Sequence, residues 1–134
     1  MAIEFHDFSV QVKNAIDDRI DAVLEECAAE LETQTKRNSR VKTSKTKNSF
    51  KHRVVESEHT AYIGSDEENA IWEEFGTGEH AILGNGRKGG WRYKDENGDW
   101  HYTTGKRPSR AFWNAYTMLK GAIIKHIQDT FKGL

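Results

Sequence analysis

The 134 residues (15.4 kDa) allow one compact domain and argue against two, and a formal charge of -1 from 20 basic and 21 acidic groups excludes a chain whose whole surface traps nucleic acid. At 36% apolar and 31% charged residues the chain is polar, yet four Trp, four Tyr and six Phe supply large core pieces. The single cysteine, Cys27, excludes an intramolecular disulfide and Cys-based zinc cages, no apolar run approaches the roughly 20 residues of a membrane span, and the acidic opening Met1-Ala2-Ile3-Glu4 predicts a soluble, cytoplasmic start.

Phe8, Val12, Ile16, Ile20, Val23, Leu24, Cys27, Ala28 and Leu31 recur in steps of three and four, predicting a long amphipathic helix over 8–31 with Ser9 as its cap. Residues 34–53 hold eight basic groups and no acidic one among many Ser, Thr and Asn, which predicts a solvated basic loop, mobile over 34–49. Two short runs, Phe50 to Glu56 and Thr60 to Gly64, predict an antiparallel hairpin. Ser65 and Glu68 have capping-box spacing before a short helical turn through Phe75, which the Gly76-Thr77-Gly78 triplet ends.

Four glycines in Gly84 to Gly90 predict a mobile connector, the start of an insertion over 84–106. Trp91 to Asp95 and Asp99 to Thr103 flank Asn97-Gly98, a strong two-residue hairpin signal. That turn would pair Tyr93 with Tyr102 and Lys94 with His101, so Trp91, Tyr93, Trp100 and Tyr102 would share one face. Pro108-Ser109 opens a final helix to about Phe131, with Phe112, Ala115, Tyr116, Leu119, Ile123 and Ile127 inward, Gly121 marking a close backbone approach and Gly133 as the stop. The elements add up to an α+β fold in which N- and C-terminal helices pack on a small antiparallel sheet.

Signs of catalysis are sparse. The glycine stretch has no Walker lysine and precedes no helix, and the six histidines show no metal-ligand spacing. Cys27 lies on the inward helix face, where a thiol is buried, and the pairs Glu67-Glu68 and Glu73-Glu74 read as exposed neighbours on a turn. No catalytic residue, cofactor or metal is expected.

Charge is blocky: net -7 over 1–33, +8 over 34–53, -8 over 54–80 and +6 over 81–134. Such blocks either cancel within one molecule or set acidic and basic surfaces of neighbouring copies against each other. On the second reading Lys36, Arg37, Arg40, Lys42, Lys45, Lys47, Glu73, Glu74, Arg87 and Lys88, with the aromatic face of Trp91, Tyr93, Trp100 and Tyr102, form inter-subunit contacts. An alternative is a small nucleic-acid-binding module that uses the basic 34–53 loop.

Glu73-Glu74-Phe75-Gly76-Thr77-Gly78, followed about 30 residues later by Arg107-Pro108-Ser109-Arg110-Ala111-Phe112-Trp113, resembles the small tail-completion, or tail-to-head joining, proteins of long-tailed phages. The order of elements is similar too: long helix, basic loop, hairpin, Gly-Thr turn, variable insertion, final helix. The resemblance implies a structural virion protein, one domain over 1–134, whose copies form a ring, a hexamer, at the head–tail junction. Its partners would be further copies of itself, the head connector or stopper protein and the tail tube protein. DNA would pass through the lumen; no membrane is involved. Gly76, Thr77, Gly78 and Pro108 would be structural turn residues.

Overall fold

The computed structural model describes residues 7–40 and 44–132. In chain order these form α1 (Ser9–Asn38), α2 (Ser44–Ser49), β1 (Lys51–Val55), β2 (Thr60–Gly64), α3 (Asn69–Phe75), β3 (Trp91–Lys94), β4 (Trp100–Thr103) and α4 (Ala111–Lys132). The α+β class expected from periodicity is present: two long helices pack together, and the β1–β2 hairpin lies along α1. The second hairpin, β3–β4, is a separate two-stranded ribbon.

α1 and α4 run antiparallel. Asn38 Nδ2 donates to Ala111 O (3.1 Å) at one end of the pair, and His126 Nε2 lies 2.7 Å from Glu26 Oε2 towards the other. Small side chains make the close approach possible: Ala28, Ala111 and Ala115 are 2%, 3% and 0% exposed, with Val23 and Cys27 beside them. Burial pushes the Cys27 thiol above its ordinary pKa, as expected of an inward thiol. Phe112 and Leu119, read as core, are only half-buried.

Several local expectations are corrected. The stretch 34–38 is the end of α1 rather than loop. Thr35 is fully buried and donates to Leu31 O (2.7 Å), Gln34 Nε2 donates to Asn38 Oδ1 (2.9 Å), and Ser39 Oγ donates to Thr35 O (2.8 Å). Residues 44–49 form α2, whose Thr46 is buried and accepts from Asn69 Nδ2 (3.2 Å). The 34–49 segment is therefore largely helical; Lys42 lies outside the described residues. Ser9 lies inside α1, and Asp7 Oδ1 accepts its N–H (2.9 Å). Ser65 makes no capping box with Glu68: its Oγ accepts the Glu67 N–H (3.0 Å) and pairs with Ser49 Oγ, and α3 starts at Asn69. A Cβ at Gly121 would meet nothing within 4 Å, so no described backbone approaches it closely, and Gly133 lies outside the described residues.

The β1–β2 hairpin matches its expectation, with Val54 opposite Ala61 and the turn closed by His59 at φ 48°. The β3–β4 hairpin is shifted by one residue: Trp91 pairs with Thr103, Arg92 with Tyr102, Tyr93 with His101 and Lys94 with Trp100. The cause is Asp95. Its backbone N–H donates to Asp99 O (2.8 Å), and its Oδ1 accepts the N–H groups of Asn97 (2.9 Å) and Asp99 (2.8 Å). This closes a three-residue loop, with Gly98 left-handed at φ 85°. A one-residue slip exchanges the faces of one strand relative to the other. Tyr93 and Trp91 therefore lie on one face, and Trp100 and Tyr102 lie on the other with Arg92 and Lys94.

Candidate assembly surface

The two short signatures, distant in sequence, meet at one junction beside the start of α4. Thr77 N donates to Lys106 O (2.9 Å), Glu79 N to Thr104 O (2.9 Å) and Lys106 N to Thr77 Oγ1 (2.8 Å). Gly78 (φ 60°) and Gly105 (φ 122°) sit so close to the facing backbone that a Cβ on either would overlap it. Gly86 likewise packs against Gly78, so the glycine stretch expected to be mobile is pinned at that point. Pro108 Cδ borders Gly76, placing all four expected turn residues in one structural knot.

Glu73 and Glu74 belong to this knot and are not exposed neighbours on a turn. Glu73 is 5% exposed; its Oε1 accepts from Lys106 Nζ, Arg40 lies 3.7 Å from Oε2, and its backbone O accepts the Ser109 N–H (2.7 Å). Glu74 is turned the other way. Its Oε2 accepts the Phe112 N–H (3.0 Å) and its Oε1 the Trp113 N–H (2.9 Å), with Arg110 Nη1 3.8 Å from Oε1. A carboxylate from α3 thus caps α4, satisfying two N–H groups that a helix start leaves without intrahelical partners. The α4 helix begins at Ala111 rather than Ser109 because Arg110 is left-handed (φ 57°). Both glutamates thus have partners within the protomer, Glu73 in an ion cluster and Glu74 at the start of α4, a role invisible in sequence because those partners lie about 30 to 40 residues away.

The basic residues are placed as follows. Lys36 lies 3.8 Å from Glu32, Lys45 lies 3.4 Å from Glu67, and Arg40 faces Glu73 and donates to Arg107 O (2.9 Å). Arg37 is exposed in the last turn of α1, and Lys47 is half-buried in α2. Three of the eight basic groups of 34–53 thus face carboxylates of the same molecule, a partial cancellation within the protomer. Arg87 stacks over Trp91, 5.3 Å from its ring centre, while Lys88 is exposed. Arg87 and Trp91, with Trp72, Thr77 and Lys106, line a cleft of about 560 Å³ beside the knot.

Exposed apolar surface is the larger feature. Trp100 and Tyr102 are 68% and 66% exposed, and Tyr93, stacked on His101 at 5.4 Å, is 45% exposed. Asp95 is held below the usual carboxylate range, first by His101, whose Nε2 lies 2.6 Å from Oδ2. At the far end of the molecule, α1 runs past α4: 30 residues against 22 leaves about 12 Å of helix unmatched at 1.5 Å per residue. Val10, Val12 and Ile16 are exposed there. Beside them Lys13, Asn14, Asp17, Asp18, Asp21, Glu56, Ser57 and His59 line an acidic cleft of about 400 Å³. Sequence reading missed this surface; the signal was an apolar stripe longer than the final helix could cover.

The accessible surface totals 9872 Å², against about 7,200 Å² expected for a compact monomer of 15.4 kDa. Among the described residues no group of three or more His, Cys, Asp or Glu is placed to hold a metal ion, and no helix is long and apolar enough to cross a membrane. Compared with known proteins, the chain matches no family model, no curated protein and no solved structure.

Proposed function

We propose that the chain is a non-catalytic virion protein that completes a phage tail, joining the tail tube to the head connector as one subunit of a hexameric ring around the DNA path. The Glu-Glu-Phe-Gly-Thr-Gly and Arg-Pro-Ser-Arg-Ala-Phe signatures suggest this reading. The observation that carries it is the surface excess: a protomer with so small a core and so many exposed aromatics gains stability by association. The charge-block argument carries less weight, since Lys36, Arg40 and Lys45 are balanced within the protomer. The same balance weakens the nucleic-acid alternative, because paired bases release fewer counterions on binding phosphates. Its place would be the head–tail junction of the virion, after synthesis in the host cytoplasm.

The test is addition of the purified chain to tails and to head connectors isolated from the encoding phage, followed by sedimentation and negative-stain imaging. Rings of protein at the tail end or on the connector are expected. Failure to attach to either would overturn the reading, and tight DNA binding that weakens steeply with salt would favour the nucleic-acid module instead.

A further inference from the structure

We infer that the cleft beside the knot binds a single nucleotide, with the base against the indole rings of Trp72 and Trp91 and the phosphate on the guanidinium of Arg87. The cleft is complete in one protomer, so binding there requires no ring. Its volume of about 560 Å³ lies within the roughly 300–1,000 Å³ of small-ligand pockets. Glycine makes the space. Gly76, Gly78 and Gly86 line the cleft with backbone alone, and the contact of Gly86 with Gly78 holds the glycine stretch against the knot.

Aromatic surface and charge define the ligand. Trp72 is 45% exposed and, among the described residues, pairs with no other ring and no cation. The half-buried Trp91 carries Arg87 over its ring, 5.3 Å from the centre. Among the described residues no carboxylate lines the cleft, and its two cations differ. Lys106 is engaged by the buried Glu73, whereas Arg87 faces no carboxylate. One planar guanidinium is thus left to donate to one anionic group, beside two π faces. A nucleotide carries both complements in one small molecule, a stacking base and a phosphate.

The base has a preferred identity as well. Asn85 precedes the pinned Gly86, lines the cleft, and makes no side-chain hydrogen bond among the described residues. Its carboxamide offers a donor and an acceptor side by side, the pair that matches the N7 and N6 groups of adenine. None of the described residues of the basic 34–53 segment lines the cleft. A nucleotide held here therefore meets one unneutralised cation, and its affinity falls only gently with salt, with a log–log slope of about -0.7 for one phosphate of a single strand.

The experiment titrates the ¹⁵N-labelled full chain with deoxyadenosine monophosphate and follows the indole N–H signals of its four tryptophans, assigned with single Trp→Phe variants. Saturable shifts are expected for Trp72 and Trp91, with Trp100 and Trp113 stationary. Arg87→Ala should weaken the nucleotide at least tenfold and leave deoxyadenosine, which lacks the phosphate, unchanged; unmoved Trp100 and Trp113 signals verify its fold. A short oligodeoxyadenylate separates the two sources of such a ligand. Single-stranded DNA as the source predicts tighter binding than the monophosphate at the same two indoles, with the gentle salt slope, whereas a free nucleotide as the source predicts that the oligomer moves neither signal. No saturable shift at Trp72 and Trp91 with the monophosphate would overturn the proposal, as would equal shifts at all four indoles. Equal weakening of nucleotide and nucleoside by Arg87→Ala would remove the phosphate from Arg87 and overturn it too. A tail or connector protein that shifts Trp72 and Trp91 where the monophosphate does not would assign the cleft to a protein partner instead.

Discussion

Removing the Glu74 carboxylate should unfasten the start of α4 from the knot. In Glu74→Ala the N–H groups of Phe112 and Trp113 lose the acceptor they share, in a place where the Glu74 side chain is only 13% exposed. Loss of a helix cap costs about 1 kcal/mol, and leaving a half-buried donor unsatisfied adds about 1–3 kcal/mol, so about 3 kcal/mol is expected in total. For a chain of this size that corresponds to a fall in Tm of about 10 °C. Glu74→Gln keeps one carbonyl acceptor but loses the charge facing the helix dipole and Arg110, so about 1 kcal/mol is expected. Urea titration followed by circular dichroism at 222 nm would measure both, provided the slope with denaturant is unchanged. A Glu74→Ala variant within about 0.5 kcal/mol of the wild type would refute the capping argument, since that is the spread of ordinary surface substitutions.

Gly78→Ala should lose more than about 4 kcal/mol in the same titration, because its Cβ meets Thr104 O and Gly105 in addition to the strained φ of 60°. Gly84→Ala, at φ 71° with open space around it, should lose only about 1–2 kcal/mol and so isolates the backbone contribution. Ala115→Leu should destabilise by about 1–3 kcal/mol by forcing α1 and α4 apart, whereas Ala122→Leu on the exposed side of α4 should change thermal stability little. His52 is held above its ordinary pKa chiefly by Glu25, 2.5 Å away, with Glu32 at 3.5 Å from the other ring nitrogen. A raised folded-state pKa stabilises fully below the unfolded value, about 6.5, and that contribution fades as pH rises through the folded value. The stability difference between wild type and His52→Asn should therefore shrink from about pH 6 towards pH 8; a difference independent of pH would contradict the pairing.

The long helices, the β1–β2 hairpin and the Gly76-Thr77-Gly78 turn were legible from residue order alone, because each depends on a period of 3.6 or 2 or on a local φ preference. The polar stretch 34–38 misled, since its helicity is enforced by the burial of Thr35 and the bond from Asn38 to Ala111, a residue 73 positions away. The ribbon misled by a single residue. Asn97-Gly98 is a real turn signal, but the carboxylate of Asp95 collects two N–H groups and sets a longer loop, and one step of register reassigns every face. Glu73 and Glu74 look alike in the chain, yet successive positions on α3 point one into an ion cluster and the other onto the start of α4. Periodicity determined which surfaces of this protein are apolar. Only the packing of a 22-residue helix against a 30-residue one decided which part of that apolar stripe stays uncovered, because coverage is a comparison of lengths that no local pattern contains.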